Sequence, residues 1–260
     1  MSLPHFYLDE QVLSLESNRR FELRLTSDDV KHARALRLKA GEHIAVLDAA
    51  NDYFECCVDS FDKQSLCVHI AQHLVAPKRP TVVLAHGLAK GDKMDTIIRH
   101  ATELGVSAFI PLVCERSIVK LDQKKIPNRM QRWNALAKSA AMQSGQAAIP
   151  EICEPQTINE LMDHVQGATA VLVCWEEAAG TQTLSSALET ACTSLKQPYA
   201  DARVVVVVGP EGGLSEKEVV TLQHLHPQCF PITLGPTILR TETAGIVAPA
   251  LVLYELERVR

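Results

Sequence analysis

The order of apolar and polar positions divides the chain near residue 75. Before it, apolar residues come in short, β-prone runs with partial alternation: FELRL at 21–25, HIAVLD at 43–48, YFECCV at 53–58 and SLCVHI at 65–70. One helix interrupts them. Thr26 or Ser27 can cap it, Asp28 and Asp29 suit its first turn, and it is predicted to run to about Arg37 before a turn at Lys39–Gly41. The pattern predicts a small β-rich module, a barrel. AQHLVAPKRP at 71–80 reads as a linker closed by Pro77 and Pro80.

Beyond the linker the pattern changes. Near-continuous apolar runs at 81–86, 107–113, 169–175, 203–208 and 228–234 alternate with stretches of helical spacing at 91–104, 129–144, 183–193, 215–225 and 241–257. Apolar strands separated by helices predict a parallel sheet covered on both faces. Ligands bind such sheets beyond the carboxyl ends of the strands, so the chemistry is expected just after the strands.

Two segments lie there. In VVVVVGPEGGLSEKEV (204–219) a valine strand runs into Gly209-Pro210-Glu211-Gly212-Gly213, and Ser215 with Glu218 has the spacing of a capping box. Three glycines let the backbone approach a ligand closely and expose N–H donors. The loop matches neither the dinucleotide fingerprint nor the triphosphate loop. In LGPTILRTETAGIVAPALVLYEL (234–256) a loop ends at Arg240 and a helix begins near Thr241. Thr241 or Thr243 can cap it, Glu242 suits its first turn, and Pro249 is expected to bend it or open it locally. The Arg240 guanidinium is suited to a phosphate or an anionic base.

Composition adds limits. The 260 residues are 47% hydrophobic and 22% charged, enough for one large or two modest globular domains. No apolar run is long enough for a membrane helix, the acid-bearing N-terminal stretch has no signal-like run, and a cytoplasmic protein is expected. The eight cysteines form no CxxC pair and no zinc-finger spacing, so they read as reduced, small apolar residues with no metal. The net charge of −5 hides a basic middle: residues 76–150 hold 12 basic and 5 acidic side chains, net +7. Phosphate contact needs such local positive potential, not a positive total; a solvated helix face explains it equally well.

GPEGGLSEKEV (209–219) followed by LGPTILRTETA (234–244) resembles the paired cofactor-loop motifs of the RsmE family of ribosomal RNA methyltransferases, in the SPOUT superfamily. Further blocks match in order: HARALRLKAGEHIAVLD (32–48), AKGDKMDTIIRHATELGV (89–106), ERSIV (115–119), RWNALAKSAAMQSGQAAIPEI (132–152) and CWEE (174–177). The resemblance implies an α/β protein with an N-terminal PUA-like β-barrel that binds RNA (1–75) and a C-terminal SPOUT domain (76–260) with a deep trefoil knot. It implies a homodimer that uses S-adenosylmethionine to methylate N3 of a uridine in the decoding region of 16S ribosomal RNA, within the 30S subunit, without metal or membrane.

By the same resemblance the cofactor pocket comprises Cys174, Trp175, Glu176, Gly209, Pro210, Glu211, Gly212, Gly213, Leu234, Gly235, Ile238, Leu239, Thr243 and Ala244. The acceptor is an imide nitrogen, a poor nucleophile until it loses its proton. It needs orientation, a proton acceptor and a donor for the anionic base. Arg240 is the candidate donor; Glu242 is a candidate base or a structural residue. His32, Arg34, Arg37, Lys90, Lys93, Arg116, Lys120, Arg132, Gln143 and Gln146 are candidate RNA contacts, with Lys124, Lys125 and Arg129 beside them.

The chain departs from the family pattern at Thr237, where the loop usually carries Arg, at Met142–Gln146, and at His5 in Pro4-His5-Phe6. Each change removes a charge expected near the RNA. Two other readings therefore stay open: a methyltransferase for another RNA site, and a non-catalytic RNA-binding assembly factor.

Overall fold

The apolar strands of the second part of the chain form one parallel sheet in the computed structural model, which describes residues 3–62, 64–119, 122–175, 177 and 182–258. The strands are β1 (His5–Tyr7), β2 (Phe21–Glu22), β3 (His43–Leu47), β4 (Tyr53–Phe61), β5 (Leu66–Leu74), β6 (Thr81–Gly87), β7 (Ala108–Val113), β8 (Glu151–Ile152), β9 (Gln156–Thr157), β10 (Ala170–Cys174), β11 (Arg203–Val208) and β12 (Cys229–Ile232). The helices are α1 (Ser27–Leu36), α2 (Lys93–Leu104), α3 (Ile126–Ser144), α4 (Met162–Val165), α5 (Leu184–Leu195), α6 (Glu216–Leu225) and α7 (Thr241–Glu257). One compact unit runs to Pro77 and takes in Ala141–Ala148; the other comprises Lys78–Ala140 and the residues from Ile149 onward.

The first unit is a five-stranded sheet in the order β1-β3-β4-β5-β2, with β1 parallel to β3 and the other pairs antiparallel. Phe6, Ile44, Val46, Cys56, Val58, Leu66 and Val68 are buried within it. The strands differ from expectation in three ways. β1 was missed, because three residues are too few to show a period. β2 is two residues instead of five. β5 continues through Leu74, so the first four residues of the expected linker are strand, carried by pairing with Tyr53–Glu55. Among the described residues no ladder joins β1 to β2, so the expected barrel is seen here as an open sheet with two short edges. Thr26, not Ser27, caps α1, in a capping box with Asp29.

The second unit is a seven-stranded sheet whose main path runs β12-β10-β11-β6-β7-β8, with β9 also on β7 and every pair parallel. The period of two decides which side chain faces which layer. Val204, Val206, Val82, Leu84, Ala170 and Leu172 point to one core with α2, α3, α5 and α7. Val205, Val207, Val83, Ala85, Val171 and Val173 point to the other, closed by α6 and by Ile158, Leu161 and Val165. Burial on both faces is why these strands are continuous apolar runs.

One expectation for α7 is corrected and one narrowed. Neither Thr241 nor Thr243 caps it: the N-cap is Arg240, with no side-chain capping bond. Of the bend or local opening expected at Pro249, the opening is not seen: the helix is continuous from Thr241 to Glu257. The one amide bond that proline removes, to the Gly245 carbonyl, is offset by burial of the ring and of Ala248 and Val252 beside it. Among the described residues no helix is long and apolar enough to cross a membrane.

Leu84 lies fully buried in the middle of the sheet. Leu84→Ala is expected to cost about 2–5 kcal/mol in urea unfolding. A loss below about 1 kcal/mol would mean that the two helical layers are not packed on the sheet as described.

Candidate active site

β10, β11 and β12 end in register, with Cys174 opposite both Val208 and Ile232. Each apolar run stops there, and the loops that follow converge on a cavity of ≈480 Å³. Its walls are Cys174 and Trp175, the loop 209–213 without Gly212, the continuous segment from Ile232 to Thr241, and Lys93 with Ala244. The first loop is pressed tightly. A side chain at Gly209 would meet the Gly213 carbonyl carbon and Leu214 amide nitrogen at 2.9 Å, and one at Gly87 would meet the Pro210 ring at 2.4 Å. Backbone reaches backbone here because no Cβ intervenes. In the second loop Gly235 adopts φ +136°, a conformation that favours glycine.

Lys93 is the electrostatic centre of the wall. Its Nζ lies 3.1 Å from Glu211 Oε1 and 3.0 Å from Glu242 Oε2. These two carboxylates raise the lysine pKa. Glu242 is held below the usual carboxylate range by its own backbone N–H and by Lys93. Burial opposes ionisation of Glu211, but the backbone N–H groups of Lys90 and of Glu211 itself, with Lys93, outweigh it and lower its pKa. Behind the wall, fully buried His86 reaches main-chain carbonyls at Gly87 and Thr241, and the Thr241 hydroxyl donates to the Gly209 carbonyl at 2.6 Å. Ser215 caps α6 in the predicted box with Glu218, and its hydroxyl also donates to Glu115 at 2.8 Å.

Arg240 is exposed at the rim and has no carboxylate at ion-pair distance among the described residues. Beside it Ile238 is 84% exposed. Among the described residues the buried Trp175 indole nitrogen and Glu211 Oε2 find no hydrogen-bond partner, and Glu242 Oε2 has only the Lys93 ion pair. Burial pushes the Cys174 thiol up to about 12, so it is an unreactive wall group at neutral pH. The described residues contain no cluster of three metal-ligating side chains.

Of the residues expected at the cofactor, Cys174, Trp175, Gly209, Pro210, Glu211, Gly213, Leu234, Gly235, Ile238, Leu239 and Ala244 line the cavity. Gly212 does not; it packs against Arg116, whose backbone oxygen a Cβ would meet at 2.8 Å. Thr243 is exposed and off the wall. Glu176 and Lys120 lie outside the described residues. Val208, Thr233, Pro236, Thr237 and Thr241 also line the cavity, and strand-end position was the signal that could have found them.

The expected RNA contacts scatter. Lys93 is committed to Glu211 and Glu242 in the pocket wall, so its expected role as a phosphate contact is replaced by an internal ion pair. Arg132 pairs with Asp95 at the start of α2. Arg116 lies 3.7 Å from Glu177 and 3.4 Å from the Gly212 carbonyl. Lys90 is exposed, its backbone N–H given to Glu211. In the other unit Arg34 and Arg37 end α1, and His32 packs edge-on to Phe6, its pKa lowered by burial. Gln143 is exposed, and Gln146 accepts the Tyr7 hydroxyl on its carbonyl. His5, at a position expected on the RNA-facing side, is only 5% exposed: its ring stacks on Tyr53 and its two nitrogens lie against the Tyr53 hydroxyl and the Leu3 carbonyl.

A family model for the RNA methyltransferase domain matches residues 77–253. Ribosomal RNA small subunit methyltransferase E of Bacillus subtilis is 35% identical over 241 residues, 91% of each chain. The chain belongs to the ribosomal RNA small subunit methyltransferase E family. The enzyme of that name from Mycobacterium bovis is 30% identical over 85% of this chain and 82% of its own. The Neisseria gonorrhoeae family member, solved bound to S-adenosyl methionine, superposes with a TM-score of 0.74 at 26% identity over 96% of each chain. Membership of the methyltransferase E family makes the cavity after β10, β11 and β12 the candidate active site.

The lowered carboxyl pKa values fix the sign of a pH effect. Their stabilising contribution is present above the ordinary carboxyl value of 4.5 and is lost as pH falls through the lowered values. Lys93→Met removes the cation that lowers them. It is therefore expected to destabilise the protein at neutral pH and to converge on the wild type in acid. Urea unfolding across that range checks this; a pH-independent difference would remove Lys93 from charge pairing.

Proposed function

We propose that this protein transfers a methyl group from S-adenosylmethionine to N3 of a uridine in the decoding region of small-subunit ribosomal RNA, with the 30S subunit as substrate. The observation that carries the reading is the glycine-walled cavity at three strand ends, in a chain of the methyltransferase E family. The residues fit the cofactor. The cavity volume suits a ligand of its size. Its buried donor at Trp175 and acceptor at Glu211, unpartnered among the described residues, match a molecule that carries both kinds of group.

The bound cofactor supplies an electrophilic methyl group. Gly209, Leu234, Gly235 and Leu239 would hold it through backbone groups, and Cys174, Trp175 and Pro210 would exclude water. Arg240, unpaired by any described carboxylate and exposed at the rim, donates to the uracil oxygen as negative charge spreads from N3. Glu242 is given the structural role, not that of base. A carboxylate held below its ordinary range and paired with Lys93 is a weak acceptor for an imide proton. The proton therefore leaves to solvent, and the rate is expected to rise from about pH 6 to about pH 9.

The same reading gives residues 1–75 as a PUA-like RNA-binding domain and residues 76–260 as a SPOUT domain with a C-terminal trefoil knot. The protein then acts in the cytoplasm as a homodimer. One face of α7 supports the dimer: Ile246, Val247, Ala250, Leu251 and Tyr254 share a side, with Leu251 41% and Tyr254 67% exposed. The opposite side, Ala244, Ala248, Val252 and Leu256, is already buried, so the helix is apolar all round. The basic residues Lys90, Arg116 and Arg132 with His32, Arg34 and Arg37, and the amides of Gln143 and Gln146, are the proposed RNA contacts.

Labelled S-adenosylmethionine and 30S subunits from a strain lacking the modification are expected to yield N3-methyluridine in nucleoside mass spectrometry. No product despite cofactor binding would move the target to another RNA or leave a binding role. Arg240→Ala is expected to lower kcat by about 10²–10³-fold, and Arg240→Lys by less. The double variant Leu251→Glu/Tyr254→Glu is expected to halve the mass seen by light scattering; an unchanged dimer would put the interface elsewhere.

A further inference from the structure

His86 is the last residue but one of β6 and does not line the cavity. It is fully buried, between three segments of chain. Its Nδ1 lies 2.7 Å from the carbonyl oxygen of Gly87 at the end of the same strand. Its Nε2 lies 3.1 Å from the carbonyl oxygen of Thr241 and 3.4 Å from the Thr241 hydroxyl, at the start of α7. That hydroxyl in turn donates to the carbonyl of Gly209, the first residue of the glycine loop. The ring is boxed on the α7 side as well: a Cβ at Gly245 would stand 2.7 Å from Cδ2 and 2.8 Å from Nε2. Burial lowers the ring's pKa, against the opposite pull of the Thr241 and Gly87 carbonyls and of Glu211 and Glu242.

Thr241 and Gly209 both belong to the cavity wall, on segments 32 residues apart in sequence. Nothing in the local preferences of a loop and of a helix start fixes their separation. The Thr241 hydroxyl spans them by its bond to the Gly209 carbonyl, and the buried His86 ring holds Thr241 in place from the β6 side; each link lost leaves an unsatisfied buried group. We infer that His86 is a positioning residue for the cofactor pocket: from outside the cavity it sets the start of α7 against the glycine loop, with Gly245 required beside it. The inference rests on the S-adenosylmethionine reading of that pocket.

Titration calorimetry with S-adenosylmethionine on the full-length protein tests it, alongside melting temperature and a split of kcat from cofactor KM. His86→Ala is expected to raise the cofactor Kd about tenfold, because small wall displacements are costly to bound geometry. His86→Gln, which keeps an N–H donor of similar reach, is expected to recover most of the affinity. Gly245→Ala is expected to weaken binding alone, yet to add no further loss on top of His86→Ala, since the ring it collides with is gone. Wild-type affinity in His86→Ala, or independent additive losses for the pair, overturns the inference. If His86→Ala fails to fold, Gly245→Ala and Thr241→Val decide: unchanged cofactor affinity in both overturns it equally. A wild-type protein that binds no S-adenosylmethionine sinks the functional reading itself, which is a different result from variants that bind as the wild type does.

Discussion

Burial of β11 between β6 and β10 is the constraint on which the rest of the second unit depends. A parallel strand with neighbours on both edges and helices on both faces has no solvated side, so Val204–Val208 carry no polar group. Every polar demand of the sheet is thereby moved to the strand ends. There the chain turns through glycines, and three strands stopping in register leave a cavity whose floor is the end of the sheet itself. The cavity is thus a consequence of the strands stopping together, not of any one motif.

Charge in that cavity is organised by pairing across segments distant in sequence. Lys93 comes from the start of α2, Glu211 from the loop after β11 and Glu242 from the first turn of α7. The lysine neutralises one of two adjacent carboxylates that would otherwise repel each other in a partly enclosed wall. This leaves Arg240 at the rim with no described carboxylate at ion-pair distance, although its charge helps to lower the Glu242 pKa. On the proposed function this division suits the chemistry of a weak acid such as an imide: the wall charges are paired, and the rim cation is the one offered to the acceptor.

The first unit follows a different rule. Its sheet is mostly antiparallel, its edge strands are three and two residues long, and one face is solvated. Polar residues that look displayed in the sequence are drawn inward where the core needs a ring. His5 is the clearest case: it stacks on Tyr53 and satisfies both ring nitrogens inside the unit.

Most of the cavity wall was legible only through the family resemblance of its loops; the sequence by itself determined the alternation of strand and helix after residue 80, the ends of β11 and α6 to within a residue, the capping box at Ser215 and the glycine loop. These are local properties, written in a period of two or 3.6 and in the positions where glycine or a cap is required. Only the tertiary structure decided what Lys93, Thr241 and His86 do, and that neither threonine caps α7. Each of these depends on a partner more than 100 residues away in the chain or on a backbone carbonyl, and side-chain identity carries no record of such a partner. Strands β1, β8 and β9 escaped for the complementary reason: two or three residues are too short to show a period, and they are strands only because a longer neighbour supplies their hydrogen bonds.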